Sequence, residues 1–287
     1  MSVLIVKNLW WPFGAHLLHM KWAYIHALIN KYDFFYKDNN YPVFIDGSIN
    51  YYYDSPNTIN ENELKNIKHV LYSEDINHNM SLRGHYVPNE YANASEFHSF
   101  VLKKLYCPKL EIIKIINNNS LIQNLQNNNI KYIAVHIRLG DKINGNAKET
   151  IYIQLENYFN KCKEVKTKYG INTIVICSDT SDGLEKFISL NVDNDFKILF
   201  NDESRNRNIW TESIVQKVIN GYNDKEKLYQ EYLNCFVNFE LLLKSEIIIG
   251  NFDSCFCLVP VEMRNNNKDI NINVNNIPLW GIRNKFT

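Results

Sequence analysis

His136-Ile137-Arg138-Leu139-Gly140-Asp141-Lys142 gathers an imidazole, two cations and a carboxylate directly after a short apolar run, Tyr132-Ile133-Ala134-Val135. The chemistry this set suits is the binding of a nucleoside diphosphate. Arg138 can donate a two-pronged fork to a phosphate, and Lys142 supplies a mobile point charge on a flexible stem. His136 and Arg138 are two residues apart, so an extended backbone sends both to one side, with Asp141 and Lys142 following in the loop. Gly140 gives the chain its turn. In open α/β sheets, ligands bind at such carboxyl ends of strands.

The elements that must position these residues alternate along the chain. The β-branched run over 131–137 reads as a strand covered on both faces. An amphipathic helix follows from about Ile151 to Lys168, stopped at Gly170, with Ile151, Leu155, Tyr158, Cys162 and Val165 on its core face. Strand 173–177, a short helix near Gly183 to Ser189, strand 196–200, a long helix over 225–244 and strand 246–249 complete the second half. In the first half, Val3 to Val6, Val43 to Ile45 and His69 to Tyr72 are strand candidates, with a helix from about Gly14 to Tyr32 between the first two. This alternation predicts parallel sheets with helices on both faces. The boundary falls near Asn117 to Asn129, which divides the chain into 1–125 and 126–287. The tail from Ile270 is expected to wrap over the body with Trp280 as an anchor.

Other segments accompany the His136 to Lys142 stretch. Phe13-Gly14-Ala15-His16-Leu17-Leu18-His19 enters a helix, and Phe97 to Ile116 is helical before the second half. Ile174-Val175-Ile176-Cys177-Ser178-Asp179 is a strand ending in a carboxylate. In Ser245 to Phe256 a strand ends in the turn Asn251-Phe252-Asp253-Ser254-Cys255 and a helix begins. In this order the segments resemble the motifs of the GDP-fucose-dependent fucosyltransferases. The lysine at 142 points to the α1,6-fucosyltransferase and nodulation-fucosyltransferase branch.

The resemblance implies a GT-B-like architecture, two Rossmann-like domains whose parallel sheets face a cleft, with the acceptor on the 1–125 side and GDP-fucose on the 126–287 side. It implies inverting transfer of fucose to a glycan or glycoconjugate hydroxyl, with GDP-fucose as donor, no cofactor and no metal. Arg138 and Lys142 then act on the diphosphate. His136, Asp141, Asp179, Asn238, Ser254, Cys255, Gly14 and Ala15 bind the donor. Asp179 has a structural alternative as the cap of the next helix.

Three positions depart from the family pattern. Leu139 stands where a second arginine is usual, Asn146 where the general base is a glutamate, and Asn238 where an aspartate is expected to meet guanine. An amide has no useful basicity, so the acceptor's proton falls to another carboxylate, with Glu149 the nearest and Asp141 a further choice. A relative that binds a nucleotide sugar or glycan without turning it over, or one that transfers another GDP-deoxyhexose, remains an alternative.

Equal numbers of acidic and basic residues, 31 of each, exclude a general pull toward nucleic acid or anionic membrane. No apolar run reaches the roughly 20 residues of a membrane span. Cys107, Cys162, Cys177, Cys235, Cys255 and Cys257 lie mostly in apolar patterns, which reads as buried thiols in the cytoplasm. His16 and His19 share a helix face and are read as lining the interdomain cleft. Trp10-Trp11 and Tyr51-Tyr52-Tyr53 offer ring faces for sugars or for packing. The asparagine clusters at 117–119, 127–129 and 265–276 are read as loops.

Overall fold

A computed structural model describes residues 2–6, 13–37, 58–59, 61–67, 69–72, 87–140, 152–201, 221, 223–264 and 270–275. Two parallel sheets organise the chain. In the first, β1 (Ser2–Val6) is flanked by β2 (Asp33–Lys37) and β4 (His69–Tyr72), and β3 (Thr58–Ile59) joins β2. The helix α1 (Phe13–Asn30) connects β1 to β2, and a short α2 (Glu61–Leu64) precedes β4. The strand expected at Val43 to Ile45 lies outside the described residues. The partner of β1 is instead the aromatic run of Asp33–Lys37, which follows α1 after only two residues.

Three helices lead to the second sheet: α3 (Ala94–Leu105), α4 (Leu110–Asn118) and α5 (Ser120–Asn127). The sequence reads 97–116 as one helix. The break falls around Pro108, whose ring and missing N–H oppose a continuing helix. Asparagines do capping work here, one of them, Asn119, from a cluster read as loop. Asn93 accepts from the Glu96 amide at 3.0 Å, and Asn119 accepts from the Leu121 and Ile122 amides. The expected linker at 117–129 is therefore largely α5.

The second sheet has the order β7-β6-β5-β8-β9, all parallel. Its elements are β5 (Ile133–Ile137), α6 (Leu155–Tyr169), β6 (Thr173–Ser178), α7 (Ser181–Ser189), β7 (Lys197–Phe200), α8 (Lys225–Leu243), β8 (Ile247–Gly250), α9 (Cys255–Arg264) and β9 (Ile270–Asn273). Gly170 ends α6 in the left-handed region at φ 71°. Alternation along β5 sends Ile133, Val135 and Ile137 into a core with α6 and α7. Ala134 enters a second core with α8 and α9. That second core is continuous with α1 and α3 of the first half. The Lys21 ammonium, itself buried, meets Glu262 of α9 at 2.6 Å, and Ser99 Oγ of α3 donates to the Met263 carbonyl at 2.6 Å. The start of the tail does not wrap over the body. It adds the edge strand β9, because Ile270-Asn271-Ile272-Asn273 has the period-two pattern a strand needs.

Candidate active site

The ends of three strands meet in register, His136 of β5 lying between Cys177 of β6 and Gly250 of β8. His136 is 4 % exposed, and its ring stacks on Phe256 of α9 at 5.6 Å and 26°. Burial lowers its pKa from 6.5 to about 4. The nearby Asp179 carboxylate opposes that shift and Arg138 reinforces it, so the ring is neutral at pH 7. Its Nδ1 makes no hydrogen bond among the described residues. Gly250 is required beside it, since a Cβ there would overlap the Cys257 sulfur and lie 3.3 Å from the His136 Cβ.

Arg138 leaves the strand end toward Asp179. Its Nη1 donates to Asp179 Oδ2 at 2.6 Å, with both side chains only partly exposed. The same carboxylate accepts from the Leu139 amide at 2.8 Å through Oδ1 and from the Gly140 amide at 2.9 Å through Oδ2. Asp179 thus faces the 138–140 turn, and the cap of α7 is Thr180, whose Oγ1 accepts from the Gly183 amide at 3.1 Å. Leu139 continues the strand alternation into the α6 and α7 core. It packs so closely that a Cβ on Gly183 would lie 2.9 Å from its Cδ1. Position 139, where the resemblance leads one to expect a second arginine, is a core position, which suits its apolar side chain.

The first turns of two helices meet beside His136. Gly14 opens α1 against the start of α9, where a Cβ would come within 2.6 Å of the Phe256 nitrogen and 2.7 Å of the Cys255 carbonyl carbon. Ala15 is buried beside it. Phe13 sits among Tyr106, Tyr232, Phe236, Phe239 and Phe256, at centroid distances of 4.9 to 6.4 Å. Ser254 starts α9, its carbonyl accepting from the Cys257 and Leu258 amides. Helix starts present unsatisfied N–H groups and favour anions. The turn before α9 is tied down by asparagines from the end of β9. Asn273 Oδ1 accepts from the Phe252 amide at 3.3 Å, and Asn275 Nδ2 donates to Asn251 Oδ1 at 2.7 Å and Asp253 Oδ2 at 3.1 Å.

Of the residues anticipated from sequence, the structure brings together His136, Arg138 and Asp179, and sets Gly14, next to buried Ala15, against Cys255 beside Ser254. Asn238 lies on α8 behind β6. Its carbonyl accepts from Cys177 Sγ at 3.6 Å, while its buried Oδ1 makes no hydrogen bond among the described residues. Asp141, Lys142, Asn146 and Glu149 lie outside the described residues, as do Trp10, Trp11, Tyr51 to Tyr53 and Trp280. His16 is buried, and burial, with His19 nearby, lowers its pKa to about 3. It is a neutral core residue. Phe256, Asn273 and Asn275 were missed. Their signal was the period-two alternation at 270–274 and the aromatic directly after the Ser254 turn.

No group of three or more His, Cys, Asp or Glu among the described residues is placed to hold a metal ion. An Asp-x-Asp triplet, Asp193-Asn194-Asp195, lies before β7, at the opposite end of the sheet from Arg138. Asp195 there pairs with Lys166 at 3.0 Å. No described helix is long and apolar enough to cross a membrane.

No protein-family model matches the sequence, and no curated protein matches it. Solved structures share its fold. A NodZ α-1,6-fucosyltransferase co-crystallised with GDP aligns with a TM-score of 0.57 at 9% identity, over 91% of this chain and 92% of its own. The fucosyltransferase NodZ from Bradyrhizobium gives 0.55 at 10% identity, over 91% and 92%. POFUT1 in complex with GDP gives 0.51 at 9% identity, over 94% and 97%. At these identities the likeness shows the fold: an α/β chain with parallel sheets, arranged over nearly its full length like these fucosyltransferases.

Proposed function

We propose that this chain is a glycosyltransferase of the GT-B type that moves fucose from GDP-fucose to a hydroxyl of a glycan or glycoconjugate, with inversion and without a metal. The observation that carries the reading is the Arg138–Asp179 pair two residues after neutral His136, whose ring stacks on Phe256 where the first turns of α1 and α9 pack together. Structures of the same fold contain GDP or were soaked with GDP-fucose. As the bond from the anomeric carbon to the β-phosphate oxygen breaks, negative charge grows on the diphosphate. Arg138 and Lys142 stabilise it, helped by the start of α9 at Ser254 and Cys255, in a geometry set before reaction. His136 approaches the ribose or base, Asn238 reads guanine, and Gly14 and Ala15 let the backbone approach the donor. Glu149 takes the acceptor proton. The division into 1–125 for the acceptor and 126–287 for the donor, and a cytoplasmic setting, belong to the same reading.

The test is turnover of GDP-fucose, as hydrolysis and as transfer to a panel of glycan acceptors, for the wild type and Arg138→Ala. Turnover lost in the variant supports the enzyme. GDP binding without turnover on any acceptor favours a silent nucleotide-sugar binder, the second reading, which Asn146 in place of the usual glutamate motivates. A panel of GDP-deoxyhexoses identifies the sugar. Unchanged turnover in Glu149→Gln would remove Glu149 as the base.

A further inference from the structure

We propose that Asp179 is the positioning residue of the phosphate site, holding Arg138 and the 138–140 turn in the geometry that a diphosphate meets. This rests on the nucleotide-binding reading above. One carboxylate takes three donors from three consecutive residues: Arg138 Nη1, the Leu139 amide and the Gly140 amide, all between 2.6 and 2.9 Å. Its own place is fixed from behind. The Asp179 amide donates to the Ile137 carbonyl at 3.4 Å. Ser178 Oγ donates to the Thr180 carbonyl at 2.8 Å, next to the Thr180 cap of α7.

Gly140 belongs to the same device. A Cβ there would stand 2.7 Å from Asp179 Oδ2, so any other residue at 140 pushes the carboxylate off its donors. Charge and geometry pull in opposite directions at this point, and that makes the idea testable by sign. If Asp179 were only a counter-ion competing with phosphate, neutralising it would strengthen anion binding. A positioning residue has the reverse effect, because a guanidinium released into several rotamers must be ordered again by the ligand.

The experiment is calorimetric titration of GDP into the wild type, Asp179→Asn, Arg138→Ala and the double variant. Asparagine keeps the shape but has a single acceptor for three donors. Asp179→Asn is expected to weaken GDP about tenfold. Because Asp179 acts through Arg138, the same change in the Arg138→Ala background should cost less than about twofold. Equal or tighter binding by Asp179→Asn overturns the proposal, and so does an undiminished loss in the Arg138→Ala background. Gly140→Ala should reproduce the loss if Asp179→Asn fails to fold. A second readout needs no nucleotide: modification of Arg138 by phenylglyoxal, followed by peptide mass, should run several-fold faster in Asp179→Asn or Gly140→Ala. Equal rates overturn the proposal. Failure of the wild type to bind GDP or GDP-fucose would overturn the functional reading, and the labelling rates would still judge Asp179.

Discussion

The carboxyl ends of β5 and β8 are neighbours in one sheet, yet they are held by opposite means. After β5 the turn is organised by charge, with Asp179 collecting the Arg138 guanidinium and two amides. After β8 it is organised by neutral amides, Asn251, Asn273 and Asn275 pinning the residues that lead into α9. A guanidinium has several N–H donors, so one held by a carboxylate can also meet an arriving anion. These amides carry no charge of their own and hold the Asp253 carboxylate through Asn275 Nδ2, so they suit a fixed frame on which a helix start is presented. The β5 end thus meets the ligand by charge, and the β8 end supplies a fixed frame.

The largest effect that separates the two ends is expected at Arg138. Arg138→Ala removes the only arginine of the 136–142 stretch and should lower GDP-fucose turnover by about 10²- to 10³-fold, the usual scale for one donor lost from a developing oxyanion. Thermal stability should change little, because the side chain is partly exposed and packs in neither core. Parallel turnover and melting curves check this. A variant that melts much earlier would make the β5 end a stability element, like its neighbour.

Steric intrusion should come next in size and act through the fold. Gly250→Ala drives a methyl into the Cys257 sulfur and toward His136. Overpacking of this kind costs about 1–3 kcal/mol. For a domain of about 150–250 residues each kcal/mol lowers Tm by about 2–4 °C. Calorimetric melting measures it, and a Tm equal to wild type would show that β8 and α9 can separate freely.

The β5 end was legible in the sequence and the β8 end only partly so, for the same physical reason. Charged residues beside an apolar run must be paired or presented to a ligand, so Arg138 and Asp179 stood out before any fold was known. The parallel sheet of the second half was equally legible from its apolar runs and from Gly170. Asparagine is compatible with turns, caps and strand edges alike, and its role depends on what lies opposite. The tail at 270–275 therefore read as loop although it supplies β9 and the frame of the α9 turn. Leu139 was legible as a missing cation, but its burial against Gly183 required the α7 packing. In the first half the aromatic strand Asp33–Lys37 lacks a polar alternation, and its pairing with β1 is a tertiary choice.

A smaller effect is expected where the amide frame is cut. Asn275→Ala removes two donated hydrogen bonds, to Asn251 and Asp253, and should cost about 1 kcal/mol of stability. GDP affinity should fall only a few-fold, since the α9 amides remain, and titration calorimetry beside a urea melt checks both. A loss as large as that of Arg138→Ala would mean that the β8 turn, too, answers to the ligand.

The smallest difference should appear in the response to pH. His136 at the β5 end has its pKa lowered from 6.5 to about 4 by burial, and His16 has its own lowered to about 3. In the unfolded chain each takes a proton as pH falls through 6.5, while the native state does not until about pH 4 or below. The unfolded state then binds more protons, so stability is full above pH 6.5 and declines as the solution is acidified toward pH 4. His136→Gln removes one of these two groups and should shrink the drop in Tm between about pH 7 and pH 5. Asn275→Ala, which removes no titrating group, should keep the wild-type slope at a lower Tm. Melting curves at several pH values compare the three proteins. If His136→Gln kept the full slope, the acid sensitivity would lie with His16 in the core shared by the two halves, and the β5 end would owe its response to Arg138 and Asp179 alone.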